Sequence, residues 1–381
     1  MSTLSTADPR ALLPETVRAL SAYTLDLSPC RHKLDQNEVP WELPRRLRET
    51  IARRWLAGDW ARYPDFHADA LRAALGALHG WPRDGVLVGN GSNELLALTL
   101  AALAGGRELL ALAPGFGLYP VFALAAGARW RAFGPRQDLR LAVDELEAAV
   151  AEDPRRPVLL CTPNNPTGEA IPAERVEALL ARLEAPLFLD NAYGEFSGHD
   201  YRPLLARHRH LLLFRTFSKA WSLAGMRLGY LLADPGLAGE LLKLKLPYNV
   251  NQASALAGEV ALAHPQAAGR RVRLLIGRRS AWSAMLARAG AEVFPSEANF
   301  VLTRWPGETA VRVRDGLAAR GIRVRDLSRG AGLAGCLRVS VGCGAAWRDT
   351  RAALAEILAD EGVGEGGAED CAEGLERRGT R

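Results

Sequence analysis

Four short stretches carry side chains suited to covalent chemistry on a phosphorylated ligand. In "LLLFRTFSKAWSLAGMRLGYLLAD" (211–234) a single lysine, Lys219, stands between two apolar runs, with Ser218 before it and Arg227 after it. A lysine amine is a weak nucleophile until its pKa falls or a carbonyl captures it. In "VGNGSNELL" (88–96) an apolar run ends in two glycines, and Gly91, Ser92 and Asn93 open a helical pattern. There Ser92 can cap the helix, and the backbone N–H groups and hydroxyl form a phosphate cradle at its positive end. An ordinary helix cap would use the same residues. In "TPNNPTG" (162–168) Asn164 and Asn165 sit between prolines. They make either a rigid turn or an amide able to donate to a phenolate-type oxygen without adding charge. In "LFLDNAYGEF" (187–196) Asp190 ends an apolar strand and Tyr193 follows three residues on. Such a carboxylate can cap a helix, bind a metal or partner a protonated ring nitrogen.

Taken together, the four close a chemical cycle. The cradle and Arg227 hold a phosphate, Lys219 forms an imine with an aldehyde, and Asp190 keeps a heterocyclic nitrogen protonated so that the ring accepts electrons. That combination is what pyridoxal phosphate requires of a protein.

The elements that would position these residues alternate along the chain. "GVLVGN", "ELLALAPG", "PVLLCTP", "PLFLD" and the two flanks of Lys219 are short apolar strands. Helical patterns such as "SNELLALTLAALAG", "FGLYPVFALAAGA", "DELEAAVAED" and "PAERVEALLARL" fall between them. This predicts an α/β fold, a mostly parallel sheet with helices on both faces. In such sheets ligands bind beyond the carboxyl ends of the strands, where all four stretches fall. After residue 234 helices dominate to about 289. "AEVFPSEANFVLTRWP" and "GCLRVSVGC" then predict strands of a second, smaller α+β domain. The expected organisation is an N-terminal arm with one short helix (1–30), the first part of the small domain (31–60), the large domain (61–265), the rest of the small domain (266–361) and a disordered Gly- and charge-rich tail (362–381). Pro44 suits the first turn of a helix.

Composition narrows the function classes. The 381 residues carry 48 basic and 43 acidic side chains, a net charge of +5. The excess is scattered, and "RHRH" (207–210) and "RVRL" (271–274) are too short for a nucleic-acid face. Cys30, Cys161, Cys336, Cys343 and Cys371 form no CxxC pair, so free thiols in a reducing compartment and no metal site are expected. With no signal-peptide core and no apolar run of membrane-spanning length, a cytoplasmic protein is expected.

The pieces "NNPTG", "LDNAYGEF", "TFSKAWSLAGMRLGY" and "CLRVSVG" resemble the fold-type-I pyridoxal-phosphate aminotransferases, from about residue 30 to 360. "LDQNEVPW", "RYPD", "GSNELL", "PGFGLY", "LPYNVNQAS" and the pair "GIRVRD" and "CLRVSVG" are most similar to its histidinol-phosphate aminotransferase branch. The resemblance implies a large domain that binds pyridoxal phosphate and a smaller one. It implies Lys219 as the Schiff-base lysine and proton carrier, and Asp190 against the ring nitrogen. Asn165 and Tyr193 would touch the ring 3-oxygen, and Phe116 would stack on the ring. Gly91, Ser92, Asn93, Ser218 and Arg227 would surround the phosphate. It also implies a homodimer with shared sites, in which Tyr63 reaches the phosphate of the neighbouring subunit's cofactor. Arg338 would clamp the substrate carboxylate, Arg325 would meet the phosphate on the substrate side chain with Arg323 as its understudy, and Asn37 would lie at the substrate. Val39 in "NEVPW", Asn93 in "GSNE" and Phe116 depart from the commoner family residues.

The implied reaction is transamination between histidinol phosphate and 2-oxoglutarate, giving imidazole acetol phosphate and glutamate. Histidinol phosphate has no carboxylate and glutamate does, so arginine forks must serve both phosphate and carboxylate. Three alternatives stay open: an aromatic or broad-specificity aminotransferase, a threonine-phosphate decarboxylase, and a ligand-sensing regulator domain. The last needs a DNA-binding segment, for which the roughly 30 residues before "LDQNEV" are too few.

Overall fold

A computed structural model describes residues 8–22 and 24–359. Its strands, in chain order, are β1 (His32–Leu34), β2 (Val86–Gly89), β3 (Glu108–Leu112), β4 (Arg129–Phe133), β5 (Val158–Cys161), β6 (Leu187–Asp190), β7 (Leu211–Thr216), β8 (Gly229–Leu232), β9 (Glu292–Val293), β10 (Phe300–Arg304), β11 (Ile322–Asp326) and β12 (Cys336–Ser340). Seven form the large sheet in the order β2-β8-β7-β6-β5-β3-β4. The run from β7 to β4 is parallel, while β8 lies antiparallel to both β7 and β2. The sheet is therefore mixed, with its parallel part in the middle and at the β4 edge.

Side-chain alternation explains why the central strands read as unbroken apolar runs. Along β7, Leu211 and Leu213 join the core on one face, while Leu212 and Phe214 join the core on the other. Both faces are covered by helices, so the first four positions of β7 are all apolar. The second face is packed by Leu95, Leu96 and Leu100 of the helix Ser92–Leu103 and by Ala238 and Leu241 of the helix Pro235–Leu242. The edge strand β4, "RWRAF", is only half-buried, and it has no continuous apolar run to announce it.

The smaller sheet has the order β1-β11-β12-β10-β9. Only its β1–β11 pair is parallel. It thus draws one strand from residues 32–34 and the rest from beyond residue 290. The buried Trp282 ties the long helix Pro265–Arg288 to this unit by donating its indole N–H to the Gly342 carbonyl at 3.0 Å.

Two local expectations need correction. Ser92 does not cap its helix. Gly91 takes the N-cap with φ 85° and ψ 159°, a conformation glycine adopts freely, and Ser92 is the first helical residue. The Glu94 carboxylate instead folds back to accept the Asn90 N–H. Pro44 stands at the N-cap of the helix Arg45–Leu56 and not inside its first turn. The expected tail at 362–381 lies outside the described residues.

Candidate active site

Register brings the chemistry together. Cys161 pairs with Asp190, and Asp190 with Phe214, along three parallel neighbours. Their carboxyl ends lie side by side, so Asn165, Asp190 and Lys219 all leave the sheet at one rim. β2 ends at the same rim, because Gly89 pairs with Gly229 at the start of β8. There a cavity of about 480 Å³ opens, lined by Lys219, Asp190, Asn165, Tyr193, Phe116 and Arg338. Ser92, Asn93, Ser218, Arg227 and Asn37 also line it.

Lys219 donates from Nζ to the Gln36 carbonyl at 2.7 Å. Burial, followed by the Arg338 guanidinium, pushes its pKa down to about 8; Glu38 opposes them. A desolvated lysine with no contacting carboxylate is easily held as the neutral amine.

Asp190 is buried, with both oxygens engaged. Oδ2 accepts from the Tyr119 hydroxyl at 2.7 Å and Oδ1 from the Ala192 N–H at 3.1 Å. Burial raises its pKa, and the Tyr119 bond pulls it back. Tyr193 accepts from the Asn37 amide at 3.0 Å. Burial raises the Tyr193 pKa, opposed first by Arg338. Phe116 meets Tyr119 edge-on at 5.4 Å between ring centres.

Three features form a candidate anion cradle. The helix Ser92–Leu103 points its first turn into the cavity. The Ser218 hydroxyl is aligned by Thr216, which donates to it at 3.0 Å. Arg227 reaches that hydroxyl at 3.4 Å. A Cβ on Gly91 would lie 2.7 Å from the Arg227 guanidinium, and one on Gly229 would collide with the Ser92 backbone. Arg227 itself sits at φ 49°, a left-handed conformation that an L residue adopts at a cost of about 1–2 kcal/mol.

Arg338 is the buried fork. One guanidinium nitrogen donates to the Asn165 side chain and another to the Asp35 carbonyl at 2.7 Å. Its plane lies over Phe300. Arg325 stands across from Arg338 in the β11–β12 pair, on the same sheet face. It does not line the cavity, and donates to the Thr24 carbonyl at 3.3 Å. Tyr63 is also outside the cavity: it is 80% exposed and stacked on Tyr248 at 4.4 Å.

Residues 32–357 match the family model described as aminotransferase class I and II. The chain belongs to this family. Within these aminotransferases it is most similar to the histidinol-phosphate branch, and its fold is type I, with a mixed large sheet domain and a smaller domain. It is 37% identical over 350 residues to the histidinol-phosphate aminotransferase of Deinococcus radiodurans, covering 91% of this chain and 95% of that one. Histidinol-phosphate aminotransferase 1 of Carboxydothermus hydrogenoformans is 37% identical over 345 residues, covering 90% and 98%. The structure of the Sinorhizobium meliloti histidinol-phosphate aminotransferase with pyridoxal 5'-phosphate superposes with a TM-score of 0.81 at 25% identity, covering 94% of this chain and 99% of that one.

Tyr119, Glu38, Asp35 and Thr216 also line this cavity but were not singled out by sequence. Tyr119 falls within a helical pattern, and only the bond from its hydroxyl to Asp190 separates it from an ordinary core tyrosine. Among the described residues no helix is long and apolar enough to cross a membrane, and no group of three His, Cys, Asp or Glu is placed to hold a metal ion.

Proposed function

We propose that the protein is a pyridoxal-phosphate-dependent transaminase that moves the amino group of L-histidinol phosphate to 2-oxoglutarate. The observation that carries this reading is the convergence of a depressed-pKa lysine, a buried strand-end carboxylate, an anion cradle and an arginine fork on one cavity. These residues fit the cofactor: Gly91 and Gly229 leave space at the cradle that a side chain would fill. When bound, pyridoxal phosphate supplies an aldehyde and an electron-withdrawing ring.

The chain supplies the rest. Ser92, Asn93, Ser218 and Arg227 bind the phosphate, with Gly91 admitting it. Asp190, ionised and steadied by Tyr119, holds the proton on the ring nitrogen. Asn165 and Tyr193 address the ring oxygen, and Phe116 covers a ring face. Lys219 would take the proton from the amine-bearing carbon of the donor and hold it on Nζ. Its lowered pKa brings it near neutrality, where a general base is most effective. Arg338 binds the carboxylate of the acceptor, Arg325, opposite it in the β11–β12 pair though outside the cavity lining, is the candidate for the donor phosphate, and Asn37, which lines the cavity, meets the substrate. The donor assignment is supported by the 37% identity to two histidinol-phosphate aminotransferases.

The working unit is a homodimer with Tyr63 completing the neighbouring subunit's phosphate site. Its support is the exposure of Tyr63, Trp60, Phe66, Leu244 and Leu246, with Tyr63 and Phe66 both packed on Tyr248. Free thiols at Cys30, Cys161, Cys336 and Cys343 suit a cytoplasmic setting.

A half-reaction titration tests the reading. The purified protein, loaded with pyridoxal phosphate, is mixed separately with histidinol phosphate, phenylalanine, aspartate and phosphothreonine while the cofactor absorbance is followed. Conversion by histidinol phosphate in preference to the others is expected, and Lys219→Ala should lose it while staying folded. Preference for phenylalanine would replace the donor assignment, carbon dioxide release from phosphothreonine would replace transamination, and turnover by Lys219→Ala near the parent rate would remove the lysine's role.

A further inference from the structure

Residues 24–28 meet the cavity at Leu25, which lines it, and what holds them is mainly their backbone. Arg323 donates from one guanidinium nitrogen to the Asp26 carbonyl at 2.7 Å and to the Ser28 carbonyl at 2.8 Å. Arg325 adds the Thr24 carbonyl. The segment is turned by the Ser28 N–H, which donates to the Asp26 side chain at 2.8 Å. Leu25 alone among residues 24–28 escapes full exposure, and it lines the cavity. The Arg323 guanidinium reaches the other way too, its Nε 3.2 Å from the Asp35 carboxylate, which is only 3% exposed. Asp35 lines the cavity as well, and its carbonyl takes the Arg338 fork.

We propose that Arg323 is a positioning residue that latches residues 24–28 across the cavity mouth, so that Leu25 covers the side chain of the amino donor. Arg323 does not line the cavity, so it acts on the donor through Leu25 on one side and through Asp35 and Arg338 on the other. Arginine suits the task because its rigid fork reaches separate acceptors at fixed angles, which a lysine point charge cannot do. The latch grips carbonyls, with the Asp26 carboxylate 4.0 Å from the guanidinium as a further hold, and the specificity rests on Leu25. The side chain is apolar. It shields the cavity mouth from water and favours a donor with an apolar or aromatic body over a short, charged one.

The inference rests on the cavity being the donor site, and its test separates the two claims. Leu25→Ala, Arg323→Lys and the double variant are made in the full chain. The alanine replaces a side chain at the surface of the cavity mouth, and the lysine keeps a cation beside Asp35, so all three should fold. Hydrogen exchange of peptides spanning 20–31 reads the latch without any turnover. It should quicken about tenfold in Arg323→Lys, the loss expected for one or two hydrogen bonds. In the loaded enzyme, KM for the donor should rise about tenfold in either single variant with kcat nearly unchanged, and the double variant should be no worse than Arg323→Lys. Unchanged exchange in Arg323→Lys would overturn the latch. Multiplying KM effects would mean that Arg323 meets the donor independently of Leu25, which also overturns it. If the parent enzyme turns over no amino donor, the functional reading fails while the exchange result still decides the latch.

Discussion

The neutral amine of Lys219 is the most demanding physical claim the site makes, and its pH dependence can be worked through. Burial and Arg338 bring the pKa from 10.5 to about 8. At pH 7.5 roughly a quarter of the protein then carries the free amine, against about one molecule in a thousand for an ordinary lysine. Capture of added pyridoxal phosphate by cofactor-free protein should therefore run about 200-fold faster than an unperturbed lysine allows. Stopped-flow absorbance across pH 6 to 9.5 measures this rate. N-acetyl-lysine methylamide, mixed with the same reagent, cancels the titration of the reagent itself. The ratio to that standard should be largest below pH 8 and shrink above it, as Lys219 saturates while the free amine continues to gain. Burial is the larger cause and Arg338 the second, so Arg338→Gln should move the midpoint upward yet leave it well below 10.5. A rate that climbs tenfold per unit through pH 9.5 would refute the reasoning, because the amine would then be behaving as a solvated lysine.

Three further outcomes follow from the same geometry. Lys219→Met, compared with the parent in cofactor-free form, should be more stable at pH 7 by about 1–3 kcal/mol in urea titration. The sign follows from linkage: a lysine with a lowered folded pKa binds its proton less tightly when folded, so its penalty is full below about pH 8 and fades as pH rises toward 10.5. Tyr119→Phe removes a donor from the buried Asp190 carboxylate, which should raise the Asp190 pKa further and shift the acid limb of kcat/KM to higher pH. A fall in kcat/KM of about tenfold is expected. Gly229→Ala drives a methyl into the Ser92 backbone and should weaken pyridoxal-phosphate binding at least about tenfold by fluorescence titration, whereas Gly239→Ala, with open space around it, should leave binding unchanged.

The legible and the hidden parts of the chain divide by where the information resides. β5, β6 and β7 announce themselves because both faces of the sheet are buried, so that "VLL", "LFL" and "LLLF" are forced to be apolar throughout. The polar residues beyond their carboxyl ends that line the cavity are legible for the same reason, since a polar residue ending such a run stands out. β4 is an edge strand with alternating arginines, and nothing in its five residues distinguishes it from a loop. Tyr119 was hidden because its role depends on a partner 71 positions away. Ser92 misled at the level of one residue: serine is a common cap, but the positive φ at the strand-to-helix turn needs glycine, and the cap moved one place back. The assignment of Arg323 and Arg325 could not be made by spacing, because the arm that meets them comes from about 300 residues earlier in the chain, and strand alternation alone does not say which face it covers.

The site keeps its acid and its base apart, and this separation is what allows one pocket to hold both. Were Asp190 to touch Lys219, the pair would form a buried ion pair, and the amine would stay charged at neutral pH. Asp190 instead spends its oxygens on the Tyr119 hydroxyl and the Ala192 N–H, and the Lys219 charge is the least of the influences on it. Lys219 meets a neutral carbonyl, and the strongest charge acting on it is the like charge of Arg338. Arg338 therefore has two effects. It offers a fork to a carboxylate, and until a carboxylate binds it disfavours protonation of the lysine. A bound carboxylate would cancel part of the positive field, so the basicity of Lys219 should rise when an acidic substrate arrives. In the proposed transamination a proton carrier at Lys219 would thus be tuned by the occupancy of its neighbour, with a stronger base present for the carboxylate-bearing partner than for a donor that lacks one.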